Sequence, residues 1–87
     1  MFKPKDQIVY IPHHAKGDIR HKDVEYGFVM KDDGNASFCR FWVKGQPGVL
    51  RTISCSERAY NECLKKHESC LQGEVDFFYN AIVCQNE

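Results

Sequence analysis

Several features that decide broad functional classes are missing from this 87-residue chain. No run of apolar residues approaches the roughly 18 that cross a bilayer, so we expect no membrane-spanning helix and no membrane partner. The first residues hold no apolar segment of the kind that a secretory signal needs, so we expect a cytoplasmic protein. Lysine and arginine number 12, as do aspartate and glutamate, and this balance lacks the basic excess typical of nucleic-acid binders.

Short motifs that would indicate an enzyme or a zinc finger are also missing. The chain has no glycine-rich phosphate loop, no Cys-x2-Cys knuckle and no obvious nucleophilic Ser-His-Asp or Cys-His set. Its five cysteines are an odd number, which predicts reduced thiols and not a disulfide framework. We therefore expect a protein that is not an enzyme and has no resident cofactor.

Short apolar runs of alternating pattern dominate the first part of the chain and predict antiparallel strands. The predicted strands span residues 8–11, 24–31, 36–43 and 49–53. Pro12 ends the first strand, and residues 32–35 and 45–48 predict turns because they are rich in Gly, Asn, Asp and Pro. Gly27 predicts a bulge or a tight bend within the second strand.

The third predicted strand carries aromatic side chains on both faces, with Phe41 on one and Arg40 and Trp42 on the other. This pattern predicts a central strand. Arg40 and a half-exposed Trp42 are also candidate binding residues, because aromatics interleaved with arginine can stack on bases or hold a peptide. Packing between strands would use the same side chains.

After residue 53 the apolar residues recur with a period of about 3.6. Ser54 and Glu57 fit a capping box, and the spacing predicts a helix that continues to residue 71. Residues 74–83 predict a second short helix, with a closing strand as the alternative.

Residues 68–87 hold four acids and no Lys or Arg. This end of the chain is therefore either a solvated acidic surface or a surface that faces a basic partner.

Three segments resemble a known group of proteins. They are residues 10–18 (YIPHHAKGD), 21–29 (HKDVEYGFV) and 38–41 (FCRF), with Gly17, Asp18, His21 and Gly27 the most specific positions. The chain is similar here to small phage and prophage proteins with an SH3-like barrel, over roughly residues 5–43 and more loosely over 54–66. The resemblance implies an SH3-like fold and a phage origin, so we expect the protein to lie in the host cytoplasm. It implies no settled function.

These patterns together predict an α+β, mainly β protein. Its expected architecture is an SH3-like small antiparallel barrel of four to five strands, followed by one or two short C-terminal helices. Residues 1–53 would form the barrel and residues 54–87 a helical extension packed on it, within one domain.

The long loop between the first two predicted strands holds the side chains most suited to chemistry. They are His13, His14, Asp18, His21 and Asp23. Imidazoles and carboxylates are suitable ligands for zinc, manganese or iron. The same residues can serve structure, because Asp18 can cap the turn at Gly17 and His21 can hold the loop in place. A barrel this small cannot build a two-metal phosphoesterase site, so we expect a recognition surface.

A second candidate set is Cys63, His67 and Cys70, which lie at i, i+4 and i+7 on the predicted helix. With Cys55 or Cys84 as a fourth ligand they could hold a structural zinc ion. Buried core thiols would explain the same spacing.

The function that these observations favour is a non-enzymatic, phage-type binding module that docks on a host or phage macromolecule, for example as an inhibitor of a host defence or host enzyme. A nucleic-acid-binding barrel of the KOW or Tudor type and a small metal-binding domain are the alternatives. We expect a protein partner, with nucleic acid as the other option. The chain would be a monomer, or a homodimer through exposed Tyr60, Leu64, Phe78 and Ile82.

Overall fold

The computed structural model describes residues 1–51 and 56–85, and within these ranges the chain is mainly antiparallel sheet with one C-terminal helix. The strands are β1 (Gln7–Tyr10), β2 (Glu25–Asp32), β3 (Ala36–Val43), β4 (Gln46–Leu50), β5 (Glu57–Tyr60) and β6 (Leu64–Lys66), and the helix is α1 (Gln72–Gln85). Single 3-10 turns lie at His13–Ala15 and Asn61–Cys63. In the described ranges no helix is both long and apolar enough to cross a bilayer. The predicted mainly β class is confirmed.

The strand order is β4-β3-β2-β1-β6, and β5 also pairs with β3. β3 pairs with β2 on one side and with β4 and β5 on the other, which confirms the prediction of a central strand. The segment 57–66 forms β5 beside β3, makes the 3-10 turn, and forms β6 beside β1. One short stretch of chain therefore links the two sides of the sheet.

One face of the sheet packs on a core of buried apolar side chains. Its buried members are Ile8, Val29, Cys39, Phe41, Ala59 and Leu64. Cys39 and Phe41 alternate along β3 as the sequence predicts. Burial raises the pKa of the Cys39 thiol from 9.0 to about 12, so this cysteine is a core residue that stays protonated.

We expect Cys39 to resist alkylation in the folded protein. The thiolate is the reactive species, and a pKa near 12 in place of 9.0 lowers its fraction about 1000-fold at a given pH. The exposed Cys84 on α1 should react first with iodoacetamide. Peptide mapping by mass spectrometry after brief treatment measures both sites, and equal rates would contradict the packing.

The opposite face of the sheet is covered by α1. Val75 is fully buried against Phe28 and Trp42, and Phe78 and Ile82 pack on the same cluster. The spacing of three, four and seven residues puts these apolar side chains on one helical face. The prediction of a helix at residues 74–83 is confirmed, and the alternative of a closing strand is wrong.

The predicted helix over residues 57–71 is wrong. β5, a 3-10 turn and β6 occupy most of this range, and residues 67–71 are irregular. Ala59 and Leu64 fit either a helical face or inward positions of a sheet, and pairing with β3 and β1 outweighs modest helix propensity. Ser54 of the predicted capping box lies outside the described residues, and Glu57 begins β5.

Two turns frame β3. The predicted turn at residues 32–35 is confirmed: the Gly34 φ angle is +102°, and Asp32 Oδ1 accepts the Gly34 N–H at 2.7 Å. The second turn centres on Lys44 and Gly45, two residues before the centre of the predicted 45–48 turn, and β4 begins at Gln46. Pro47 fits inside β4 because this strand lies at the end of the strand order, where a missing N–H is tolerated. Of the predicted strand 49–53, residues 52 and 53 lie outside the described ranges.

Gly27 is required by close contact between β2 and β3. A Cβ at this position would lie 2.0 Å from the Arg40 carbonyl oxygen and 2.8 Å from the Phe41 Cα. The register shift expected at Gly27 lies instead between Val29 and Lys31. The glycine therefore permits a close backbone approach and does not itself form a bulge.

The side chains expected to form a dimer surface do not share one exposed face. Leu64 is buried in the core of the sheet, whereas Tyr60 is exposed. Phe78 and Ile82 pack against the buried cluster that contains Phe28 and Trp42. Three of the four side chains on which the expected dimer depended therefore pack within the single chain.

The side chain of Gln7 fastens the irregular segment 67–71 to β1. Gln7 is buried, and its Oε1 accepts the backbone N–H groups of Ser69 and Cys70 at 3.0 and 3.1 Å. Its Nε2 donates to the Cys70 carbonyl oxygen at 2.9 Å. One side-chain amide therefore satisfies three backbone groups of Ser69 and Cys70, which lie outside the strands.

We expect Gln7→Ala to lower the free energy of unfolding by about 2–3 kcal/mol, because it leaves several partly buried backbone groups without partners. Gln46→Ala, at an exposed position of β4, is the matched control and should change stability by less than about 0.5 kcal/mol. Urea denaturation measures both variants. Equal stability of the two would show that Gln7 does not hold the segment.

Candidate functional site

An open groove of about 940 Å³ lies between the loop that follows β1 and the turn that joins β3 to β4. Aromatic side chains from three strands contribute to its lining: Tyr10, Tyr26 and Trp42. The loop contributes His14 and residues 19–24, and the turn contributes Lys44 and Gly45. The groove is thus assembled from parts of the chain that are distant in sequence.

The loop between β1 and β2 is a succession of tight turns. Backbone N–H groups of Ala15, Asp18, His21 and Val24 each donate to the carbonyl three residues earlier, at 2.9 to 3.1 Å. Buried Ile11, Ala15 and Val24 pack on Val9 and anchor the loop. The polar side chains of the loop therefore project from a well-defined backbone.

Asp18 caps a turn within this loop. Its Oδ1 accepts the backbone N–H of Arg20 at 2.9 Å and lies 3.8 Å from the Arg20 Nε. Asp18 therefore caps a turn as predicted, but it is the turn that follows Gly17 and not the Gly17 turn itself. Its carboxylate does not join the cluster that His14, His21 and Asp23 form.

His14, His21 and Asp23 converge at the groove. His14 Nε2 lies 2.6 Å from Asp23 Oδ2, and His21 Nδ1 lies 3.9 Å from the same oxygen. The hydrogen bond from His14 lowers the pKa of Asp23, and the charges of His14, His21 and Lys22 act in the same direction. The two rings meet edge to face, with their centroids 5.2 Å apart. The structure thus brings together three of the five predicted loop residues.

His13 points away from this cluster. Its Nε2 lies 3.5 Å from the Cys63 Sγ and 3.3 Å from a Glu62 carboxylate oxygen. Burial raises the pKa of the Cys63 thiol, and the charge of Glu62 raises it further. Both effects oppose formation of a thiolate, so this Cys-His contact lacks the activation that a nucleophile needs.

The predicted set of Cys63, His67 and Cys70 is dispersed because the helix that would align it is absent. Cys63 faces His13, Cys70 contacts Gln7, and the His67 ring lies 5.1 Å from that of Tyr26. Within residues 1–51 and 56–85 these three do not form a metal-ligating group. Cys55, one proposed fourth ligand, lies outside the described residues. His67 does, however, line the groove.

Trp42 and Arg40 have different environments. Trp42 is only 3% exposed, between Phe28 and Phe78, so the prediction of a half-exposed ring is wrong. The docking of α1 accounts for this burial. Trp42 still contributes to the lining of the groove, whereas the half-buried Arg40 does not.

Sequence patterns missed several groove residues. Arg51 donates to both Glu25 and Glu57, and its guanidinium lies 5.4 Å from the ring centre of Phe41. Lys44 Nζ donates to the Lys22 carbonyl and so joins the two sides of the groove. Glu25 lies 26 residues before Arg51 and Lys22 lies 22 residues before Lys44, so no local spacing could have identified these two contacts.

Three buried side-chain atoms in the described part of the chain have no hydrogen-bond partner. They are Trp42 Nε1, Arg51 Nε and Ser69 Oγ. Buried polar groups in native proteins are nearly always satisfied, so such exceptions require explanation. All three belong to residues that line the same groove.

Comparison of the chain with protein-family models, curated proteins and solved structures found no match of any of the three kinds.

Proposed function

We propose that this protein is a non-enzymatic binding module whose groove docks an acidic segment of a protein partner. The observation that carries the proposal is that the three unpartnered buried polar atoms all belong to groove residues. The Trp42 Nε1–H and Arg51 Nε–H groups are donors, and neither has an acceptor within hydrogen-bond distance. Carbonyl or carboxylate oxygens of a bound segment would supply them after small side-chain rotations.

Charge favours an acidic segment. Arg20, Lys22 and Lys44 line the groove, whereas its two acids, Asp23 and Glu25, already pair with His14 and Arg51. The chain as a whole has zero net charge, so this local excess of positive charge distinguishes the groove from the rest of the surface. The groove also contains acids, and the chain as a whole is neutral. Both features favour a protein partner over a polyphosphate, whose binding depends on an excess of positive charge.

We further propose that the fold is an SH3-like barrel of a phage-type protein. The long loop after β1, the 3-10 turn between β5 and β6, and the pairing of β6 with β1 support the barrel assignment. The resemblance of residues 5–43 supports the phage origin. A host or phage protein in the host cytoplasm is then the expected partner, and inhibition of a host enzyme or defence is the expected consequence.

The test is a titration with a synthetic Glu-rich peptide that contains one Phe, in the presence of a chelator. Trp42 is the only tryptophan, so its fluorescence reports on the groove. We expect saturable binding that Arg20→Glu/Lys22→Glu weakens at least about 10-fold. Lys3→Glu/Lys65→Glu has the same net charge, changes exposed sites outside the groove, and should bind like the unmodified protein.

Two results would overturn the proposal. Equal loss of affinity in both double variants would show that binding follows net charge and not the groove. Binding of single-stranded oligothymidine with no response to the peptide would favour the nucleic-acid alternative.

A further inference from the structure

We propose that one wall of the groove also holds a divalent transition-metal ion, with zinc the best-suited ion and His14, His21 and Asp23 as its protein ligands. Each residue offers one ligand atom, and these atoms lie within 4.8 Å of one another. In the described part of the chain no other three His, Cys, Asp or Glu residues meet this condition. The proposal goes beyond the docking of a partner segment and does not depend on it.

The distances are close to those of a metal site. Ligand atoms about 2.0–2.2 Å from one zinc ion lie roughly 3–4 Å apart. The His21 Nδ1 to Asp23 Oδ2 distance of 3.9 Å already fits, and the 2.6 Å between His14 Nε2 and Asp23 Oδ2 is that of a hydrogen bond. A small rotation of the exposed His14 side chain would replace that bond with coordination to a shared ion.

The donor set selects the class of metal. Two imidazoles and one carboxylate suit zinc and related transition metals, whereas calcium and magnesium prefer oxygen ligands throughout. Three protein ligands leave at least one coordination position open. Because all three residues line the groove, a carboxylate of a bound acidic segment is a fitting fourth ligand.

The loop backbone already positions these side chains. The turns at His14 and His21 are held by backbone hydrogen bonds, and His21 Nδ1 accepts the Asp23 N–H at 3.0 Å. Coordination through Nδ1 would exchange this last bond for a bond to the metal. That exchange, together with the neighbouring Arg20 and Lys22 charges, lowers the affinity for the metal.

The test is isothermal titration of the chelator-treated protein with ZnCl2, with elemental analysis of the dialysed complex. We expect one zinc ion per chain and about 100-fold weaker binding in His14→Ala and in Asp23→Asn. His13→Ala is the matched control, because His13 is an exposed histidine of the same loop outside the cluster, and it should bind zinc like the unmodified protein. Cobalt(II) absorption would report the coordination independently.

Three results would overturn this site. They are the absence of saturable zinc binding, unchanged binding in both His14→Ala and Asp23→Asn, and loss of zinc in Cys63→Ser/Cys70→Ser with retention in His14→Ala. Circular dichroism checks that each variant is folded. Because the peptide titration is run with chelator, failure of the metal site leaves the docking result unaffected.

Discussion

Gly27→Ala is expected to lower the free energy of unfolding by more than about 4 kcal/mol, which would leave little stability in a domain of this size. The added Cβ would lie 2.0 Å from the Arg40 carbonyl oxygen and 2.8 Å from the Phe41 Cα. Both neighbours are backbone atoms, so no side-chain rotation relieves the overlap. β2 and β3 would have to separate and lose ladder hydrogen bonds at the centre of the sheet.

Gly73→Ala is the matched control for this prediction. Gly73 lies in α1, and apart from its chain neighbours and the backbone of its own helix no heavy atom lies within 4 Å of the position its Cβ would take. Replacement of a helical glycine by alanine should stabilise the protein by roughly 0.5–1 kcal/mol. Urea denaturation measures both variants. A Gly27→Ala protein within about 1 kcal/mol of the unmodified one would contradict the close contact of β2 and β3.

Phe28→Ala is expected to lower the free energy of unfolding by about 3–5 kcal/mol. Phe28 is fully buried between the sheet and α1, and its ring centre lies 5.3 Å from that of Trp42. Removal of the ring leaves a cavity beneath Val75, the only residue of α1 that is fully buried in the described structure. The fluorescence of Trp42 should shift to longer wavelength as water reaches the indole.

Phe77→Ala provides the comparison, since Phe77 is 68% exposed on the other side of α1. It should change stability by no more than about 0.5 kcal/mol. Similar losses in Phe28→Ala and Phe77→Ala would mean that α1 is not docked on the sheet through its Val75 face.

Local patterns predicted the parts of the fold that local physics decides. Alternation identified β3 with its residue limits, Gly34 marked the turn before it, and helical spacing found α1. The error over residues 57–71 has a specific cause. Ala59 and Leu64 satisfy a helical and a sheet pattern equally, and only pairing with distant strands decides between them.

The site was predictable to a lesser degree. The loop pattern singled out His14, His21 and Asp23, which do converge, but it could not separate them from His13. The groove itself was not predictable, because Tyr26, Lys44 and His67 come from different elements and meet only in the folded chain. Spacing arguments detect residues on one element and miss surfaces that several elements build.

The central claim is that the groove between the loop after β1 and the β3–β4 turn is the binding surface. Backbone amide chemical shifts of the 15N-labelled protein, recorded as the Glu-rich peptide is added, test it most directly. The account predicts saturable shifts within residues 14–26 and 42–46, which include groove-lining segments of the loop and the turn. Shifts confined to the exposed side of α1 around Phe77 would contradict it.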